Sequence, residues 1–90
     1  MGGYMHKNKF NGRNNICGFN IAKIRKSMIP KMSQRALADK LQLIGLDVDK
    51  NAIQRIENGK RFVTDIELSA FSQLFNVTAN QLLKSNENSG

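Results

Sequence analysis

Histidine and cysteine supply most nucleophilic and metal-binding chemistry in proteins, and this chain has one of each, His6 and Cys17. One His with one Cys cannot complete a four-ligand zinc site. No visible pattern places a base beside Cys17 to activate it as a nucleophile, so it reads as a small apolar residue at the edge of a helix. A lone thiol cannot close an internal disulfide, which fits a reducing, cytoplasmic setting. No set of nucleophile, base and electrophile can be assembled. The sequence therefore argues against an enzyme and implies no metal and no cofactor.

Charge is the chemistry the chain does carry. Lys and Arg number 14 against 7 Asp and Glu, for a formal net charge of +7. The first 35 residues hold Lys7, Lys9, Arg13, Lys23, Arg25, Lys26, Lys31 and Arg35 and no acid. A basic chain attracts polyanions, and release of condensed counterions from DNA gives affinity whatever the sequence. RNA or an anionic membrane surface would respond to the same field. The apolar runs are far shorter than the ~20 residues needed to span a bilayer, so no membrane partner is expected beyond surface attraction. The opening stretch MGGYMHKNKFNGRNN has no apolar h-region of a secretory signal. A chain of 90 residues is one domain at most. It buries only about 60% of its unfolded surface, which leaves little room for a deep catalytic cavity.

Helical elements must position whatever contacts a polyanion. Residues 1–15 are rich in Gly, Asn and Lys without apolar periodicity, and read as a flexible basic arm; 86–90 read as a disordered tail. Between them, residues 16–85 form the structured domain. Ile21, Ile24 and Met28 make one apolar stripe after Gly18, and Pro30 ends that helix. Ser33 caps a second helix that buries Leu37, Ala38 and Leu41, with Ala36 where a capping box would place an acid, and Gly45 marks the turn beyond. Asp49 caps a third helix anchored by Ile53 and Ile56, with Val48 as a hydrophobic staple and Asn58-Gly59 as its stop. Thr64 with Glu67 opens a fourth helix that turns Leu68, Phe71 and Phe75 inward and breaks at Asn76. Thr78 with Gln81 opens a last turn expected to bury Leu82 and Leu83. No period-2 alternation is present, so the expectation is all-α, five short helices around one core.

Three stretches in this order, MSQRALADKL, AIQRIENGKR and VTDIELSAFSQLFNVTANQLL, resemble the phage-repressor/Cro-type (xenobiotic-response-element) helix-turn-helix family, and the likeness runs from Ile21 to Leu83. It implies a compact five-helix, λ-repressor-like DNA-binding domain whose third helix enters the major groove of double-stranded DNA. The sequence departs from the family in two connections. QLIGLDVD separates Leu41 from Lys50, so the central turn is lengthened, and IPKM between the first two helices is also long.

The resemblance also assigns roles. In the family, the first two positions of helix three and the fifth point into the groove, and these are Lys50, Asn51 and Gln54 here, with Arg55 next along. Lys and Arg can donate to guanine O6 and N7, and Asn and Gln can pair with adenine. Gln34 matches a glutamine that meets a phosphate and steadies the recognition helix, and Asn58 matches a phosphate-contacting position. Lys60 and Arg61 follow in a loop and are expected to touch the DNA backbone. Arg25 and Glu57 match a structural ion pair between helices one and three. The implied function is sequence-specific transcriptional regulation, repressor-like, in a bacterium or phage. The alternatives are a protein-interaction module, such as an antitoxin or adaptor, and a binder of RNA or membrane surface drawn by charge alone. The family often dimerises through its C-terminal helices, and for this chain monomer and homodimer both stay open.

Overall fold

Side-chain caps start four of the five helices among the described residues. The computed structural model describes residues 9–85; residues 1–8, with His6 and Lys7, and the expected tail at 86–90 lie outside the described part. Five α-helices follow one another as α1 (Cys17–Ser27), α2 (Gln34–Leu43), α3 (Lys50–Glu57), α4 (Asp65–Phe75) and α5 (Ala79–Leu82). Ser33 Oγ accepts from the Ala36 amide at 3.0 Å, and Asp49 Oδ1 accepts from the Ala52 amide at 2.8 Å. These contacts satisfy amides that a helix start leaves without partners. Thr64 and Glu67 bond each other's backbone amides, as do Thr78 and Gln81, which completes two capping boxes. Ahead of α1, Asn15 Oδ1 accepts from the Gly18 amide in that helix's first turn at 2.8 Å.

The helix ends are equally local. α1 stops at Ser27, ahead of Pro30. α3 closes in a Schellman motif, with Gly59 N–H donating to Ile56 O at 3.0 Å and Lys60 N–H to Arg55 O at 2.9 Å. Gly59 takes φ +78°, where a β-carbon is disfavoured. Asn76, at φ 57°, makes the same left-handed break after α4.

The apolar stripes meet in one core. Ile21, Leu37, Leu41, Val48, Ile53, Ile56, Phe71 and Leu82 are fully buried, each contributing about 1.5–3 kcal/mol. Phe71 and Phe75 stack with ring centroids 6.4 Å apart. Ile24, Met28 and Leu68 are partly buried against this core. Leu83 departs from expectation. It follows the end of α5 and stays 42% exposed, whereas Leu82 is sealed.

The connection between α2 and α3 is long but shorter than the sequence suggests, because α2 continues through Gln42 and Leu43 and leaves residues 44–49 as the turn. Backbone bonds wind it tightly: Gly45 N–H donates to Gln42 O at 3.0 Å and Leu46 N–H to Leu41 O at 2.9 Å. Val48, 1% exposed, anchors its far end in the core. The lengthened turn is therefore folded back on the domain. It leaves the outer face of α3 uncovered.

The C-terminal part of the stretch read as a flexible arm over residues 1–15 makes defined contacts. Residues 10–15 form a small turn, Phe10 and Arg13 exchanging backbone bonds of 2.9 Å, and residues 13–15 are bonded to the end of α3. The cause is polar and long-range, so apolar periodicity carried no trace of it.

Candidate nucleic-acid interface

α3 is amphipathic in the strict sense. Ile53 and Ile56 point into the core, and Glu57 is buried beside them at 9% exposure. Lys50, Asn51, Gln54 and Arg55 lie on the other side and are all exposed. At 3.6 residues per turn these four share one face, and Asn58 extends it by a further turn. Among the described residues none of the four makes a side-chain hydrogen bond or ion pair. Their donors and acceptors are directed at solvent.

Behind this face the helix is tied down through one carboxylate. Glu57 Oε2 accepts from Arg25 Nε at 2.7 Å, and Oε1 accepts from Arg25 Nη2 at 2.9 Å and from Gln34 Nε2 at 2.8 Å. Arg25 Nη1 also donates to Met32 O at 3.0 Å. The guanidinium and carboxylate are 11% and 6% exposed, so the pair is largely desolvated. The hydrogen bond to Glu57 raises the Arg25 pKa above its ordinary value, and the cation is permanent. Thus α1, α2 and α3 converge on one group, and Gln34 commits an amide hydrogen to it.

The remaining basic residues divide. Lys60 is exposed beside Asn58, and neither side chain is engaged. Arg61 does not join them. Its Nη1 and Nη2 donate to Glu67 Oε1 and Oε2 at 2.9 and 2.8 Å, and Nη1 also donates to Phe62 O at 3.1 Å. Both terminal nitrogens of Arg61 are therefore engaged within the fold, with the side chain 30% exposed. The Arg61 guanidinium beside Glu67 in turn holds that carboxyl below the usual range.

Sequence reasoning missed Arg13, Asn14 and Asn15. Arg13 Nη2 donates to Glu57 O at 2.8 Å and Ile56 O at 3.4 Å. Asn15 Nδ2 donates to Ile56 O at 3.0 Å and Arg61 O at 2.7 Å, while Asn14 N–H donates to Gly59 O at 2.8 Å. The available signal was the spacing of Asn15 and Gly18, which is that of an N-cap.

Burial pushes the Cys17 thiol up to about 11, away from the nucleophilic thiolate. A cleft of about 440 Å³ runs between residues 9–17 and the start of α4, lined by Phe10, Ile16, Cys17, Phe62, Leu68 and Leu83 among others, with no residue of α3. Among the described residues no group of three or more His, Cys, Asp or Glu could hold a metal ion. No helix there is long and apolar enough to cross a membrane.

A helix-turn-helix family model matches residues 21–82, from within α1 to the end of α5. The chain belongs to the helix-turn-helix family, of the xenobiotic-response-element, λ-repressor-like type. The family is one of DNA-binding regulatory domains and is not typically enzymatic. In its terms α2 and α3 are the paired helices, residues 44–49 are the turn, and α3 is the second helix. No curated protein and no solved structure is a significant match.

Proposed function

We propose that this helix-turn-helix protein is a sequence-specific, double-stranded-DNA-binding transcriptional regulator, repressor-like, of bacterial, phage or mobile-element origin, acting by occupying an operator in the cytoplasm of a bacterial cell. The observation that carries the reading is the exposed, unpartnered face of Lys50, Asn51, Gln54 and Arg55 on a helix whose opposite face is locked into the core. Lys50 and Arg55 suit guanine, and Asn51 and Gln54 suit adenine. Lys60 and Asn58 flank this face and would grip phosphates, with Gln34 at the start of α2 as a third backbone contact. Phosphate contacts fix the docking, and α3 discriminates among bases.

Selection of bound duplexes from a random pool tests the proposal. A consensus short enough to be covered by one helix per half-site is expected, with affinity falling steeply as salt rises. Absence of salt-sensitive duplex binding at low ionic strength would overturn it, and capture of a protein partner without duplex affinity would favour an interaction module. Symmetry in the selected sequences reports pairing of two copies through the C-terminal helices, where Ile66 and Leu83 remain 72% and 42% exposed.

A further inference from the structure

We infer that Arg13 and Asn15 are positioning residues for DNA reading. They fix the C-terminal end of α3 and the turn behind it, and thereby the frame in which the α3 side chains and Lys60 meet a duplex. The inference rests on the proposed reading of α3 as the base-reading helix.

A helix end leaves its last carbonyls without intrahelical partners. The Schellman motif uses those of Arg55 and Ile56. Beyond it, the carbonyls of Ile56, Glu57, Gly59, Lys60 and Arg61 all accept from residues 13–15. The segment is thus bonded along the whole turn that carries Asn58 and Lys60, although the two are separated by more than 40 residues of chain, 43 between Arg13 and Ile56. Arg13 brings a permanent cation to the negative end of the α3 dipole, where positive charge is favourable. Its guanidinium lies so close over Gly59 that a β-carbon there would stand 2.8 Å from Arg13 Cζ. Asn15 joins three elements with one amide. Its Oδ1 accepts from the Gly18 amide in the first turn of α1, and its Nδ2 spans the carbonyls of Ile56 and Arg61.

None of this is needed to close the apolar core, because Ile53 and Ile56 already anchor α3 from its buried side. What the polar bonds add is definition of the helix's far end. Base reading requires side chains held within about 0.5 Å of the productive geometry. A frayed α3 terminus would shift Gln54, Arg55 and Lys60 by more than that.

The test compares the full chain with Arg13→Met and Arg13→Lys, on a duplex from the wild-type selection and an unrelated duplex at the same salt. Arg13→Met is expected to lower the ratio of the two affinities about tenfold, the discrimination of one good side-chain–base pair. Affinity for the unrelated duplex should fall less, through the displaced Lys60 and the lost cation alone. Arg13→Lys keeps a cationic donor without the fork and should recover part of the ratio. Without DNA, amide exchange at Gly59 and Lys60 should accelerate in Arg13→Met while Leu37 and Leu41 remain protected. An unchanged ratio overturns the inference. So does an equal loss on both duplexes that tracks a lowered melting temperature, since that is a purely structural role. Should Arg13→Met not fold, Arg13→Lys carries the same comparison. A wild-type chain with no duplex preference would sink the proposed function instead, and the exchange rates would still decide whether Arg13 holds the end of α3.

Discussion

Gly18 and the Ile56 carbonyl are in such close approach that a β-carbon on Gly18 would lie 1.9 Å from the Ile56 oxygen. This contact sets how near the start of α1 can come to the end of α3. The neighbour is backbone, held by Arg13 and Asn15 as well as by Gly59, so it cannot swing aside. Gly18→Ala should therefore destabilise the domain by about 3 kcal/mol, the upper part of the range for overpacking. Urea unfolding measures it, and an unchanged midpoint would show that the two helices can part at no cost.

Removing Glu57 leaves Arg25 and Gln34 facing one another without their common acceptor. Glu57→Ala should cost about 3–5 kcal/mol, because an uncompensated charge stays largely buried. Arg25→Met combined with Glu57→Leu should recover most of that loss. Thermal melts of the single and double variants decide the point, and equal losses in both would mean that packing alone, without charge, governs the site.

The Arg61–Glu67 pair gives stability a pH dependence of known sign. The Arg61 hydrogen bond holds the Glu67 carboxyl below its ordinary value of 4.5. A carboxyl depressed in the folded state stabilises fully above its unfolded pKa, and the contribution fades as pH falls through the folded value. The stability gap between wild type and Arg61→Met should thus be widest near neutrality and close at pH values below about 4.5. Denaturant midpoints from pH 7 to 3 would show it, and a gap independent of pH would remove charge from the explanation.

Base and backbone contacts separate by how they respond to sequence. Lys50→Ala and Asn51→Ala should each remove about 1–3 kcal/mol of preference for the selected duplex. Lys60→Ala should weaken all duplexes alike and reduce the salt slope by about 1. Titrations on matched and mismatched duplexes test both, and a base-specific loss at Lys60 would reverse the assignment.

Caps were legible in the sequence because both partners lie within one turn of chain. Ser33, Asp49, Thr64 with Glu67, and Thr78 with Gln81 each announce a helix start by spacing alone. The stripe of Ile53 and Ile56 likewise gave the buried side of α3. The clamp made by Arg13 and Asn15 was not legible, since its acceptors are backbone carbonyls, which every residue possesses and no residue type marks. Arg61 reads as a free loop cation until Glu67 is seen to occupy its fork. The extension of α2 through Leu43 was hidden because Gly45, rather than Gln42, begins the reversal. Leu83 looked like core by composition, and only the end of α5 at Leu82 turns it outward.

The carboxylate at Glu57 has a consequence for how such a domain acquires a new target. Donors from two other helices share it, so tilting α3 by degrees would strain α1 and α2 at once. Gradual re-aiming is closed off, and exchange of side chains on a fixed frame is the open route. On the function proposed here, reprogramming the domain means varying positions 50, 51, 54 and 55 while leaving 25, 34 and 57 untouched.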